Sequence, residues 1–86
     1  MSTSKTFIDA VYIGAARQEL KEVGKLNKNV IIDYVFLVPP VVQISPGFYE
    51  IHYTEKVKGT LIPKKHVVHM KVFNRVLDQF GNREKV

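Results

Sequence analysis

Residues 29 to 40, NVIIDYVFLVPP, constrain the fold more than any other stretch of this chain. The segment before the prolines is mostly β-branched or aromatic, which favours extended backbone. It is apolar on both faces apart from Asp33, the pattern of a strand covered on both sides. Pro39 and Pro40 then stop regular pairing, because neither nitrogen can donate to a ladder. A strand of this kind needs neighbours, and the rest of the chain has to supply them.

Residues 48 to 59, FYEIHYTEKVKG, alternate cleanly. Phe48, Glu50, His52 and Thr54 fall on one face of a strand, and Tyr49, Ile51, Tyr53 and Glu55 on the other. VVQI before them reads as a short strand and SPG as a turn, with proline preset for the second turn position. TLIP is short and ends at Pro63, and KHVVHMKVF reads as a further strand. Its alternation places His66, Val68, Met70 and Val72 on one face and Val67, His69, Lys71 and Phe73 on the other.

Helical periodicity appears at both ends. Ile8, Val11, Tyr12, Ala15, Ala16, Leu20 and Val23 follow a 3.6-residue repeat, which predicts a helix over residues 6 to 24. Thr6 with Asp9 resembles a capping box, and Gly24 stands where a left-handed cap belongs. Glu19 interrupts the apolar face, and Gly14 weakens the middle by about 1 kcal/mol relative to alanine. A helix ending near Gly14 with a strand over residues 15 to 23 is the competing reading. NRVLDQFGN suggests one or two helical turns with Val76, Leu77 and Phe80 inward. The order predicts an α+β fold: an N-terminal helix, a small, mostly antiparallel sheet of four to five strands, and a short C-terminal helix. Residues 1 to 86 make one small domain, with frayed ends expected at about 1–5 and 81–86.

The chain has no cysteine, which excludes disulfides, thiolate metal sites and a thiol nucleophile. No apolar stretch reaches the 20 or so residues of a membrane-spanning helix, and the N-terminus has no secretory pattern, so a cytoplasmic protein is expected. Charge is unevenly placed. Residues 1 to 50 carry five Lys/Arg and five Asp/Glu, so the whole net charge of +5 arises from residues 51 to 86. Lys56, Lys58, Lys64, Lys65, Lys71 and Arg75 face a single acid, Glu55, between positions 54 and 76. They are the candidate face for an anionic partner or nucleic acid, because lysines neutralise phosphates. A solvated lysine-rich surface gives the same pattern, since lysines also keep sheet edges from pairing.

His66, His69, Tyr49 and Tyr53 are candidate partner contacts. On a strand the odd spacing of His66 and His69 sends them to opposite faces, so no metal site is expected from this pair. No Gly-x-Ser-x-Gly elbow, phosphate-binding glycine loop or acid–base carboxylate pair is present, so neither catalysis nor a cofactor or small-molecule substrate is expected. Tyr34, Phe36, Phe48, Tyr53 and Phe73 are assigned to the core, since so small a domain needs its aromatic residues inside.

The order AVYIGAA, YVFLVPPVVQI, GFYEIHY and LIPKKHVVHMKVF resembles a passage in the portal proteins of tailed bacteriophages, over residues 7 to 75. The long helices of portal chains have no counterpart here. The resemblance implies a non-catalytic structural role in a phage particle, ring assembly, and a strand over residues 15 to 23. The residues themselves lead to a non-enzymatic binding or assembly module with a protein partner or a second copy of itself, acting through an exposed sheet edge and the basic face. A small nucleic-acid-binding regulator using residues 56 to 75 is the alternative.

Overall fold

A computed structural model describes residues 5–39 and 47–84, with side chains through 81. The doubly apolar run forms strand β2, Val30–Val38, which pairs antiparallel with β3, Phe48–Val57. The alternating segment is thus the immediate neighbour of the doubly apolar one. β3 turns through Lys58 and Gly59 into β4, Thr60–His69. Both turn residues have positive φ, 51° and 82°, as a two-residue type I′ hairpin requires. A short strand β1, Lys5–Phe7, adds to the other side of β2 and gives the antiparallel order β1-β2-β3-β4. The fold is α+β, as expected: a helix near the N-terminus, an antiparallel four-stranded sheet and a C-terminal helix.

Helix α1 spans Ala10–Glu22. Its N-cap is Asp9, whose carboxylate accepts the Tyr12 N–H at 3.0 Å. Thr6, expected to cap it, is instead paired with Phe36 in the sheet. Gly24, at φ 77°, closes a Schellman motif: the Lys25 N–H reaches the Leu20 carbonyl at 2.8 Å and the Gly24 N–H that of Lys21 at 3.2 Å. Residues 15 to 22 are helical, as the periodicity required, and not the strand that the portal resemblance implied. Helix α2 is longer than expected, Met70–Glu84, and starts directly at the end of β4. The strand read through Phe73 therefore stops at His69, whose Nδ1 accepts the Lys71 N–H at 3.1 Å and caps the new helix. Of the ends expected to fray, Lys5 falls in β1 and residues 81 to 84 in α2. The short strand and turn expected over residues 41 to 46 lie outside the described residues.

Both helices pack on one face of the sheet. Ala15, Ala16 and Leu20 of α1 and Phe73 and Val76 of α2 bury against Val30, Ile32 and Val35 of β2, Tyr49, Ile51 and Tyr53 of β3, and Val68 of β4. The smallest extent of the molecule, 21 Å, matches one sheet backed by one layer of helices. The two helices meet where Gly14 receives the ring of Phe80; a Cβ at Gly14 would lie 2.2 Å from ring atoms. The glycine that weakens the helix in isolation is what lets α2 approach.

Candidate functional site

The opposite face of the sheet has no helix over it among the described residues. Its composition follows from the registers. Moving from the β3–β4 hairpin towards the far end, successive cross-strand rows are Ile31–Thr54–Pro63, Tyr34–His52–Lys65, Phe36–Glu50–Val67 and Val38–Phe48–His69. A register shift between Ile32 and Tyr34 lets both Asp33 and Tyr34 face this side. The Thr54 hydroxyl donates to Asp33 at 2.8 Å. Without that bulge Tyr34 would point into the core and Val35 out of it.

At its centre His52 stacks on Tyr34, centroids 4.5 Å apart, with the edge of Phe36 at 6.5 Å. His52 Nε2 lies 3.0 Å from a Glu50 carboxylate oxygen, and the other Glu50 oxygen is 3.6 Å from Lys65 Nζ. Around this polar centre the face is apolar. Ile31 and Leu61 are each 65% exposed and Val67 is 50% exposed. Phe36, Val38 and Phe48 are half-buried. Tyr34, Phe36 and Phe48 were assigned to the core from the sequence; they line the open face instead, because they occupy its register positions. Phe73 and Tyr53 are in the core as expected.

The candidate basic residues do not share one face. Lys64 lies opposite Tyr53, on the helix side, and donates to Glu55 at 2.7 Å. That bond, with a second from Asn27 at 3.0 Å, holds the Glu55 carboxyl below its ordinary pKa, and the Glu55 partner raises that of Lys64. Lys65 lies opposite His52 on the open face. Lys56 also faces the open side, opposite Leu61, and Lys58 forms the hairpin tip. Lys71 and Arg75 sit exposed on α2, beyond the far end of β4. Lys64 and His69 are five positions apart along the strand, a span of about 17 Å.

Of the candidate partner contacts, Tyr49 and Tyr53 are buried beneath the helices and unavailable to a partner, since odd positions of β3 face inward. Burial, followed by the neighbouring Tyr12, raises the Tyr49 pKa above its ordinary value. His66 and His69 do take opposite faces. His69 is exposed, while His66 lies under α1, with Nε2 3.3 Å from the Glu19 carboxylate and Nδ1 3.2 Å from Lys25 Nζ. Because an ammonium group only donates, Nδ1 accepts and Nε2–H donates to Glu19. Glu19, the misfit on the apolar face of α1, is 6% exposed and finds its partner here. Three His, Asp or Glu side chains placed to hold a metal ion are not found among the described residues.

Sequence reasoning also missed Lys25 and Lys28. They lie in the neutral half of the chain, yet the structure carries them to the hairpin end. No protein-family model, curated protein or solved structure matches this chain. No helix among the described residues is long and apolar enough to cross a membrane.

Proposed function

We propose that this protein is a non-enzymatic assembly module whose helix-free sheet face binds a second copy of the same chain. The observation that carries the reading is the charge of that face. Asp33 and Glu50 balance Lys56 and Lys65, so the formal net charge of +5 lies elsewhere on the protein. Two basic molecules can bring this face together without the repulsion their other surfaces would meet. The exposed apolar side chains of Ile31, Leu61 and Val67 supply the surface to be removed from water. Three strands of nine or ten residues at about 4.8 Å spacing, with the three-residue β1 beside them, cover roughly 500 Å² in plan. That is more than half of the roughly 800 Å² per partner of a stable interface.

The open edges are poorer candidates than the face. β4 carries Pro63, Lys64 and Lys65 along its outer side, and β2 bulges at Asp33 where β1 leaves it uncovered. Prolines, lysines and bulges are devices that prevent edge pairing.

Light scattering on the eluting protein, at low and high salt, tests the proposal. A dimer that holds or tightens as salt rises is expected, as for apolar contact. Ile31→Gln with Val67→Gln, both at exposed positions, should give a folded monomer. A wild-type monomer at every salt concentration overturns the reading. A larger closed ring would favour the phage-type assembly implied by the portal resemblance, with heterologous rather than two-fold contacts.

A further inference from the structure

The end of the molecule formed by the β3–β4 hairpin gathers lysines from both halves of the chain, and we infer that it grips the phosphate backbone of a nucleic-acid duplex. The loop after α1 contributes Lys25 and Lys28; the hairpin and its strands contribute Lys56, Lys58 and Lys64. These come together because the Lys56 N–H donates to the Asn29 carbonyl at 3.0 Å and Asn27 donates to Glu55 at 3.0 Å. Lys25, Lys64 and Lys65 line a common polar hollow of about 480 Å³ with Asn27, Tyr53 and one acid, Glu55. The acids at this end include Glu22, on the last turn of α1, Glu55, which Lys64 and Asn27 already engage, and Asp33, which accepts from Thr54, while Lys25 donates to His66 at 3.2 Å.

A second observation points to the hairpin tip. Lys58 takes a left-handed conformation, φ 51°, at a turn position where asparagine or glycine is the favoured residue. A side chain kept at such a position against local preference suits a role outside the fold.

The chemistry of the pole favours a duplex backbone over other polyanions. Its aromatic residue, Tyr53, is buried, so bases have nothing to stack on and sequence-specific single strands gain little. An anionic membrane would call for apolar residues that insert together, but Val57 and Leu61 point to opposite faces of the hairpin. Lysines on two adjacent loops instead match closely spaced phosphates, which bind without regard to sequence.

The test is fluorescence anisotropy with a labelled random DNA duplex of about 20 base pairs, titrated from about 50 to 200 mM salt. Four to five phosphate contacts predict a log–log slope of about −4 per protomer. Lys28→Gln with Lys58→Asn should halve that slope to about −2, and asparagine suits the turn, so the fold survives. Lys71→Gln with Arg75→Gln should leave it unchanged. Absence of duplex binding at the lowest salt overturns the inference, as does a slope that falls only with the Lys71 and Arg75 pair. Binding to phosphatidylserine vesicles or to a polyglutamate peptide with none to duplex overturns it equally. The Ile31 and Val67 variant is run alongside. Lys28, in the loop after α1, and Lys58, at the hairpin tip, lie off the open face, so their share of the salt slope does not depend on dimerisation, and failure of the assembly reading and failure of this one are distinguishable.

Discussion

Gly14 shows how a residue can be read correctly in isolation and still be misjudged in context. Helix propensity alone says that alanine would stabilise α1 there by about 1 kcal/mol. The Phe80 ring fills the space a Cβ would need, and displacing a packed ring costs about 1–3 kcal/mol. Gly14→Ala is therefore expected to destabilise the protein by up to about 2 kcal/mol in urea titrations, the ring's cost less the propensity gain. In a Phe80→Ala background the sign should reverse, with Gly14→Ala stabilising by up to about 1 kcal/mol. No change of sign would place the cost elsewhere than the helix crossing. Glu19 is a similar case, since a carboxylate on an apolar stripe makes sense only once His66, 47 positions away, is seen to meet it. Tyr49 yields a pH prediction. Its folded pKa is raised by burial, so its contribution to stability is complete below the unfolded value of about 10 and is lost as pH rises through the folded pKa. Tyr49→Phe should abolish that alkaline loss. Near neutrality it removes just the 3.4 Å bond to Asn74, at a cost of no more than about 1 kcal/mol. Urea midpoints of both proteins near pH 8 and pH 11 check this: the variant should be the more stable at high pH alone.

At the scale of elements, the segments that follow a single period were legible. α1 followed the 3.6-residue period, and both faces of β3 matched the alternation residue for residue. Legibility failed where two periods overlap. His66 to Phe73 alternates like a strand, but Met70, Phe73, Val76, Leu77 and Phe80 also follow a helical repeat, and the helix wins from Met70. It failed again in β2, because a run apolar on both sides cannot show which residues face the helices. The bulge at Asp33 makes that choice. Deleting Asp33 should force either Val30 and Ile32 or Val35 and Leu37 to the wrong side of the sheet. Each exposed aliphatic side chain costs about 1.5–3 kcal/mol, a large share of the total of about 5–15 kcal/mol typical for a domain. The deletion is expected to lose its near-ultraviolet circular dichroism and cooperative unfolding. Asp33→Ala forfeits the Thr54 bond alone and should remain folded, about 1 kcal/mol less stable. The same overlap hid the candidate surface: the charge asymmetry was visible, but its division into a neutral open face and a basic pole depends on pairings between Lys56 and Asn29 that no local pattern encodes.

For the whole molecule the limiting quantity is buried apolar surface. A chain of 86 residues hides only about 60% of what its unfolded form exposes, so its stability is small on its own. Among the described residues one face of the sheet also carries no helix, and Ile31, Leu61 and Val67 on it are exposed. If that face pairs with a second copy, dissociation and unfolding are linked equilibria, and stability must depend on protein concentration. A tenfold rise in concentration then shifts the balance by about 1.4 kcal/mol per dimer. For a domain of this size that corresponds to a few degrees, since about 1 kcal/mol moves the midpoint by roughly 4–8 °C and the dimer shares the gain between two chains. Scans from about 5 to 500 µM should therefore show a midpoint that climbs steadily for the wild type and stays flat for Ile31→Gln with Val67→Gln. The variant midpoint should also equal that of the wild type extrapolated to high dilution, because the two substituted positions are exposed in the single chain. A wild-type midpoint that ignores concentration would mean that the bare face is stable in water, and the assembly reading would fall with it.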